Sequence, residues 1–283
     1  MRIIALILFV VVGPFAGGFL EWLDRKITAR MQGRMGPPLY QPFYDVRKLF
    51  QKESIVVRRS QNFYISFFLI AVIFTGSLFF FGENILLVIF ALTLADIFLV
   101  MGAYKASSPY SFVGAERELL QMMSYEPVFI LSAGAMYMVT KSFYVSDIVA
   151  FKGPLTLYLP GILLSFIYVL AIKFRKSPFD LSTSHHAHQE LVKGSTTEFT
   201  GRTLAMIEIA HWYEKVIILG FLYLFFARNP FFGIASVLAV YFLVILIDNT
   251  FARAKWQFVF ASSWIVAAVL GLGNMLVLFY MPR

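Results

Sequence analysis

Glu208, His211, Glu214 and Lys215 stand close together inside one long apolar run. At about 100° per residue they fall near 0°, −60°, −120° and −20°, on one third of a helix surface. Carboxylates and an imidazole ranked this way in a nonpolar setting can exchange protons, as acid and histidine chains do in membrane pumps. The alternative is ion pairing that only neutralises the charges. Asp96 and Glu126 are acids in two other apolar runs and are candidates to extend the row. Asp248, beside Asn249 and near Arg253, reads instead as an interfacial helix end carrying a salt bridge. His185, His186 and His188 near Glu190 offer imidazole and carboxylate ligands, but adjacent and i,i+2 spacing in a loop is weak evidence for a metal. The expectation is no metal site, with these histidines hydrogen-bonding to a partner. There is no cysteine, so no disulfide and no thiolate-held cluster can form in this chain. Electron chemistry would belong to partner subunits, with no catalytic residue here.

The elements that position these residues must be membrane helices. Of the 283 residues, 59% are apolar and only 14% charged, against roughly a quarter charged in soluble domains. With a mean hydropathy of +0.76, that excludes a soluble globule, whose surface needs more polar residues. Runs of about 20 apolar residues predict eight transmembrane helices, near 3–20, 63–81, 84–104, 119–140, 153–172, 203–227, 229–247 and 256–281. The first run lacks a small-residue cleavage site and is read as a retained span. Gly13-Pro14 should loosen or kink it. Lys and Arg number eighteen in the odd-numbered connections and five on the other side. That bias puts both termini outside and the loops 21–62 and 173–202 in the cytoplasm. The net charge of +8 therefore reflects membrane orientation, and no nucleic-acid role is expected. The chain reads as one polytopic, all-α membrane domain over 1–283.

Three polar blocks carry a family resemblance. The first runs through Asp24, Arg25, Lys26, Arg30, Gln32, Arg34, Gly36 and Pro37 to Gln41, Pro42, Asp45, Lys48 and Leu49. Arg30 and Arg34 are expected on one helical face before the Gly-Pro-Pro break. The second is Gly114-Ala115-Glu116-Arg117-Glu118 through to Ser124-Tyr125-Glu126. Glu116 and Glu118 also fit a solvated helix start. The third joins Pro178-Phe179-Asp180 to Glu190-Leu191-Val192-Lys193-Gly194 and Glu198-Phe199-Thr200-Gly201. In order and spacing these resemble the membrane subunit that joins the two arms of respiratory complex I, in the branch found in energy-converting, ferredoxin-dependent nickel–iron hydrogenases. The short segment between Gly36-Pro37 and Gln41-Pro42 is similar to the hydrogenase version. So is the stretch from Ser182 to His188, where quinone-reducing members carry acidic residues.

The resemblance implies a subunit of a membrane-bound hydrogenase complex in a prokaryotic cell membrane. Its partners would be hydrogenase large and small subunits, a ferredoxin-like iron–sulfur subunit and an antiporter-like membrane subunit, besides membrane lipid. A nickel–iron centre and iron–sulfur clusters would lie in those partners, and no cofactor in this chain. The complex would couple ferredoxin oxidation and hydrogen evolution, reversibly, to proton or sodium transport. Glu116, Glu190 and Glu198, which stand in these blocks, join the candidate path with Asp96, Glu126, Glu208, His211, Glu214 and Lys215. Arg25, Lys26, Arg30, Arg34, Asp45, Lys48, Asp180, His185, His186 and His188 are expected at the soluble-arm interface. Rival readings are a quinone-site subunit of a complex I-like oxidoreductase and a stand-alone ion transporter.

Overall fold

A computed structural model describes residues 2–53, 59–182 and 193–280. His185, His186, His188 and Glu190 lie outside the described residues. The described chain is helical, with one isolated bridge, Asn84 to Tyr144, and no strand. In order the helices are α1 (Arg2–Met31), α2 (Gln41–Gln51), α3 (Arg59–Phe81), α4 (Ile85–Tyr104), α5 (Pro109–Thr140), α6 (Val145–Ala150), α7 (Leu155–Tyr158), α8 (Pro160–Lys173), α9 (Gly201–Leu224), α10 (Pro230–Thr250), α11 (Trp256–Val266) and α12 (Gly273–Tyr280). A π-helical stretch, Ala267–Leu272, fuses α11 and α12 into one rod.

Each of the eight predicted runs falls on helix. Five helical segments are long and apolar enough to cross a membrane: α1, α3, α4, α10 and the rod Trp256–Tyr280. The predicted span over 153–172 is interrupted at Leu159, leaving α8 at 14 residues behind the short α7. Pro160 explains the break, because its ring pushes the preceding residue out of the helical region. Helices α5 and α9 carry charged groups along their length.

Two sequence expectations about the first helix change. It does not end near residue 20 but continues to Met31, since Glu, Leu, Arg, Lys, Ala and Met favour helix outside the apolar zone. Gly33, at φ 69°, then closes it in a Schellman turn, with Gly33 N donating to Arg30 O and Arg34 N donating to Ala29 O at 2.7 Å. Arg34 therefore lies beyond the helix and does not share a helical face with Arg30. Pro14 sits within an uninterrupted helix. It cannot donate to the carbonyl four residues back, at Val10, and the Tyr213 hydroxyl of α9 donates to that oxygen instead at 2.7 Å.

Helix α9 is the central element, packed against α1, α2, α3 and α10 with 14 of its 24 residues buried. Small residues let it approach α1: a Cβ on Gly17 would collide with the Trp212 backbone. On the other side Phe221 stacks on Phe166 and meets Phe129 edge-on, tying α9 to α8 and α5. Helix α2 lays Val46 against Ala205 and Trp212. The opposite faces of α1 and α10 present Ile3, Ile7, Val11, Phe231 and Phe242 outward, as lipid contact requires.

Candidate functional site

The polar extension of α1, the end of α8 and the middle turns of α9 line a cavity of about 490 Å³. Its walls are charged: Glu21, Asp24 and Arg25 from α1, Lys173, Arg175 and Lys176 from the end of α8, and Glu208, His211, Glu214 and Lys215 from α9. Burying so many ions requires each to have a partner.

Three cations at the end of α8 do most of this pairing, and each reaches different helices. Lys173 Nζ lies 2.5 Å from Asp96 Oδ2 of α4 and 2.6 Å from Glu214 Oε1 of α9, all three side chains being buried. The Tyr125 hydroxyl of α5 donates to the same Asp96 oxygen at 2.7 Å, and its ring lies beneath the ammonium. Arg175 forks onto Glu118 of α5, at 2.6 Å for the Nη2 contact, while its Nη1 lies 3.0 Å from His211 Nε2. Lys176 spans Asp24 of α1 at 2.6 Å and Asp248 of α10 at 3.0 Å. Burial works against the charge of Arg175 and Lys176. The carboxylates outweigh it, Glu118 first for Arg175 and Asp24 first for Lys176, and both are held protonated above their ordinary range.

The backbone aims these cations. Arg175 has φ 53°, a left-handed conformation rare outside glycine, and caps α8 with Arg175 N donating to Ile172 O and Lys176 N to Ala171 O, both at 3.0 Å. Without that turn Arg175 and Lys176 would continue around the helix and could not point to opposite sides of the bundle.

The predicted row is divided. Glu214 faces the interior pair, whereas Lys215 turns to Glu21 on α1. Glu208 lines the cavity half-buried, and His211 lies at the level between Glu208 and Glu214. Asp96 is at the centre of the bundle, fully buried, and one of its oxygens also has no hydrogen-bond partner among the described residues. Beyond it a void of about 10 Å³, the size of a water, is lined by Asp96, Tyr125, Thr93 and Glu126. Thr93 donates to Glu126 at 3.1 Å. Glu116 stands apart, exposed, and accepts from the Tyr104 hydroxyl at 2.8 Å. Glu198, in the turn before α9, lines neither cavity.

The expected docking residues also separate. Arg30, Arg34 and Lys48 are exposed. Arg25 instead joins Glu21 at 3.0 Å and Asp45 at 2.7 Å, Gln41 completes Asp45, and Lys26 donates to Gly36 O at 3.3 Å. These contacts fasten α1 to the α2 segment. Asp180 is buried and clamped by Nε and Nη2 of Arg253, at 2.8 and 2.5 Å. It is thus not a free docking acid, and the salt bridge expected at Asp248 is made with Lys176. Glu118 is no solvated helix start either, being buried on Arg175. Sequence reasoning missed Lys173, Arg175 and Lys176 as site residues. The available signal was the surplus of acids in apolar runs, which had to be met by cations from elsewhere.

Among the described residues, no group of three or more His, Asp or Glu side chains could hold a metal.

The family model for NADH dehydrogenase matches residues 3–279. Hydrogenase-4 component C of Escherichia coli is 27% identical over 292 residues, covering 92% of this chain and 90% of that protein. A subunit of the NADH-quinone oxidoreductase of Geobacter metallireducens is 29% identical over 312 residues, covering 97% and 93%. In fold, the chain is similar to one in the structure of the membrane-bound sulfane sulfur reductase, an archaeal respiratory membrane complex. The TM-score is 0.80 at 24% identity, covering 96% of this chain and 99% of that one. A match over nearly the whole length, to relatives of equal span, places this multi-pass membrane protein in the NADH dehydrogenase family.

Proposed function

We propose that this chain is the membrane subunit through which a soluble nickel–iron hydrogenase module, fed by a ferredoxin-like iron–sulfur subunit, drives ion movement in antiporter-like membrane partners. The observation that carries the reading is the buried series from the cavity through Glu214, Lys173 and Asp96 to Tyr125 and the void beside Glu126. A charge change at the cavity alters how these closely packed groups share protons, and that alteration can be passed inward. The nickel–iron centre and clusters belong to the partners, because the chain has no thiolate to offer. The hydrogenase branch is favoured by the relationship to Hydrogenase-4 component C and by the histidines that replace acids between Ser182 and Glu190. The charged cavity wall suits water and ions better than an isoprenoid tail, which weighs against a quinone site.

Purification through a tag on this chain tests the reading. Hydrogenase large and small subunits should copurify, and reduced ferredoxin should drive hydrogen evolution together with ion uptake in sealed vesicles. Isolation of the chain alone, in a form that transports ions, would favour the stand-alone transporter instead.

The eight-span topology with both termini outside is part of the proposal. Since the chain has no native cysteine, single cysteines at the exposed positions Lys52 and Lys193 are clean reporters. Both should stay unlabelled by an impermeant maleimide in intact cells and react after permeabilisation. Labelling from outside would invert the topology.

A further inference from the structure

We infer that Arg175 is a gate on His211, interrupting the row from Glu208 to Glu214 until its guanidinium withdraws onto Glu118. This rests on the ion-path reading above and adds a residue that controls the path.

A guanidinium only donates hydrogen bonds and stays protonated in proteins. The 3.0 Å contact between Arg175 Nη1 and His211 Nε2 therefore makes that ring nitrogen the acceptor. While the contact lasts, Nε2 cannot receive a proton from the cavity, and Arg175 cannot relay one itself. His211 is three residues from Glu208 and three from Glu214, about one helical turn either way. It is thus the intermediate station on this face of α9.

The guanidinium has somewhere to go. Its Nε and Nη2 already fork onto Glu118, with contacts of 3.1 Å and 2.6 Å, so leaving His211 breaks one bond and keeps the charge paired. The surroundings hold it otherwise fixed. Lys173 is committed to Asp96 and Glu214, Lys215 to Glu21, and the Phe68 ring of α3 packs edge-on with the imidazole, ring centres 5.9 Å apart. Left-handed backbone at Arg175 is what delivers the side chain to this point. An arginine kept where glycine is easier is explained by what its side chain does here.

The test is site-resolved carbethoxylation of the intact purified complex with diethylpyrocarbonate, read by mass spectrometry. The reagent needs a free imidazole nitrogen. In the resting wild type His211 should react slowly although it lines the cavity, while Lys193 on the same cavity wall reports access. R175Q should raise His211 modification by about tenfold or more, the factor corresponding to loss of one charge-assisted hydrogen bond, with Lys193 unchanged. Equal reactivity in both proteins, or a parallel rise at Lys193, would overturn the gate and leave Arg175 a packing residue. The second arm uses the wild type and so survives failure of R175Q to assemble. Under turnover with reduced ferredoxin His211 should become more reactive than at rest, and no change during demonstrated turnover also overturns the inference. Because the resting comparison needs no transport, a complex that evolves hydrogen without moving ions would fail the coupling reading and still decide whether Arg175 shields His211.

Discussion

Ion uptake in sealed vesicles falls to background in Glu214→Gln, while ferredoxin-linked hydrogen evolution in detergent continues at the wild-type rate. The substitution keeps the volume and one acceptor oxygen, exchanges the other oxygen for an amide nitrogen, and removes the negative charge and its titration. Glu214 and Asp96 share a single ammonium, Lys173, at 2.6 and 2.5 Å. With both acids ionised the trio carries one surplus negative charge, and in a low-dielectric interior that charge is felt strongly by any nearby proton. Glutamine at 214 removes the surplus, and with it the interior acid that the cavity touches. Electron transfer takes place in partner subunits on the proposed reading, so it does not depend on this acid. Glu208→Gln should weaken uptake less, because Glu208 lines the cavity half-buried, where water can stand in for it. Normal uptake at wild-type turnover in both variants would make the row structural ion pairing and move the path elsewhere.

How much of this site the sequence discloses depends on which physical rule decides each part. Lipid demands long apolar runs, so the five long apolar segments are legible, and charge asymmetry gives a definite orientation to test. Helix ends are less legible, because the apolar pattern stops at the membrane surface while the helix does not. The polar residues from Glu21 to Met31 continue α1 until Gly33. Helical spacing finds the α9 row but not its partners. Glu214 and Lys215 are adjacent and therefore about 100° apart, enough for one to meet Lys173 and the other to meet α1. Which helix flanks each side is a long-range fact that periodicity does not contain. Lys173, Arg175 and Lys176 illustrate the same limit from the other direction. Basic residues just past an apolar run read as loop charges, and the count that orients the chain treats all three alike. Only the turn at Arg175 shows that they go to three separate sets of acids, on α4 and α9, on α5, and on α1 and α10.

Lys173→Met is expected to prevent accumulation of the assembled complex or to lower its thermal midpoint in detergent more than any other single change in this site. Methionine retains the length and apolar stem of lysine but leaves Asp96 and Glu214 as two facing, buried carboxylates. Removing one partner of a buried ion pair costs about 3–5 kcal/mol, because the remaining charge is stranded away from water. Here two charges are stranded by one substitution, and the Tyr125 hydroxyl can serve only Asp96. The double variant Lys173→Met, Glu214→Gln separates charge from packing. It carries one unpaired carboxylate, giving the trio the same net charge as the wild type, and should recover part of the lost stability while remaining unable to pump. If Lys173→Met assembles and melts like the wild type, the amine is not what keeps the two acids tolerable. If the single variant is unstable and the double variant is no better, its loss comes from packing around the α8 end, and charge compensation at Asp96 and Glu214 is the wrong account of this site.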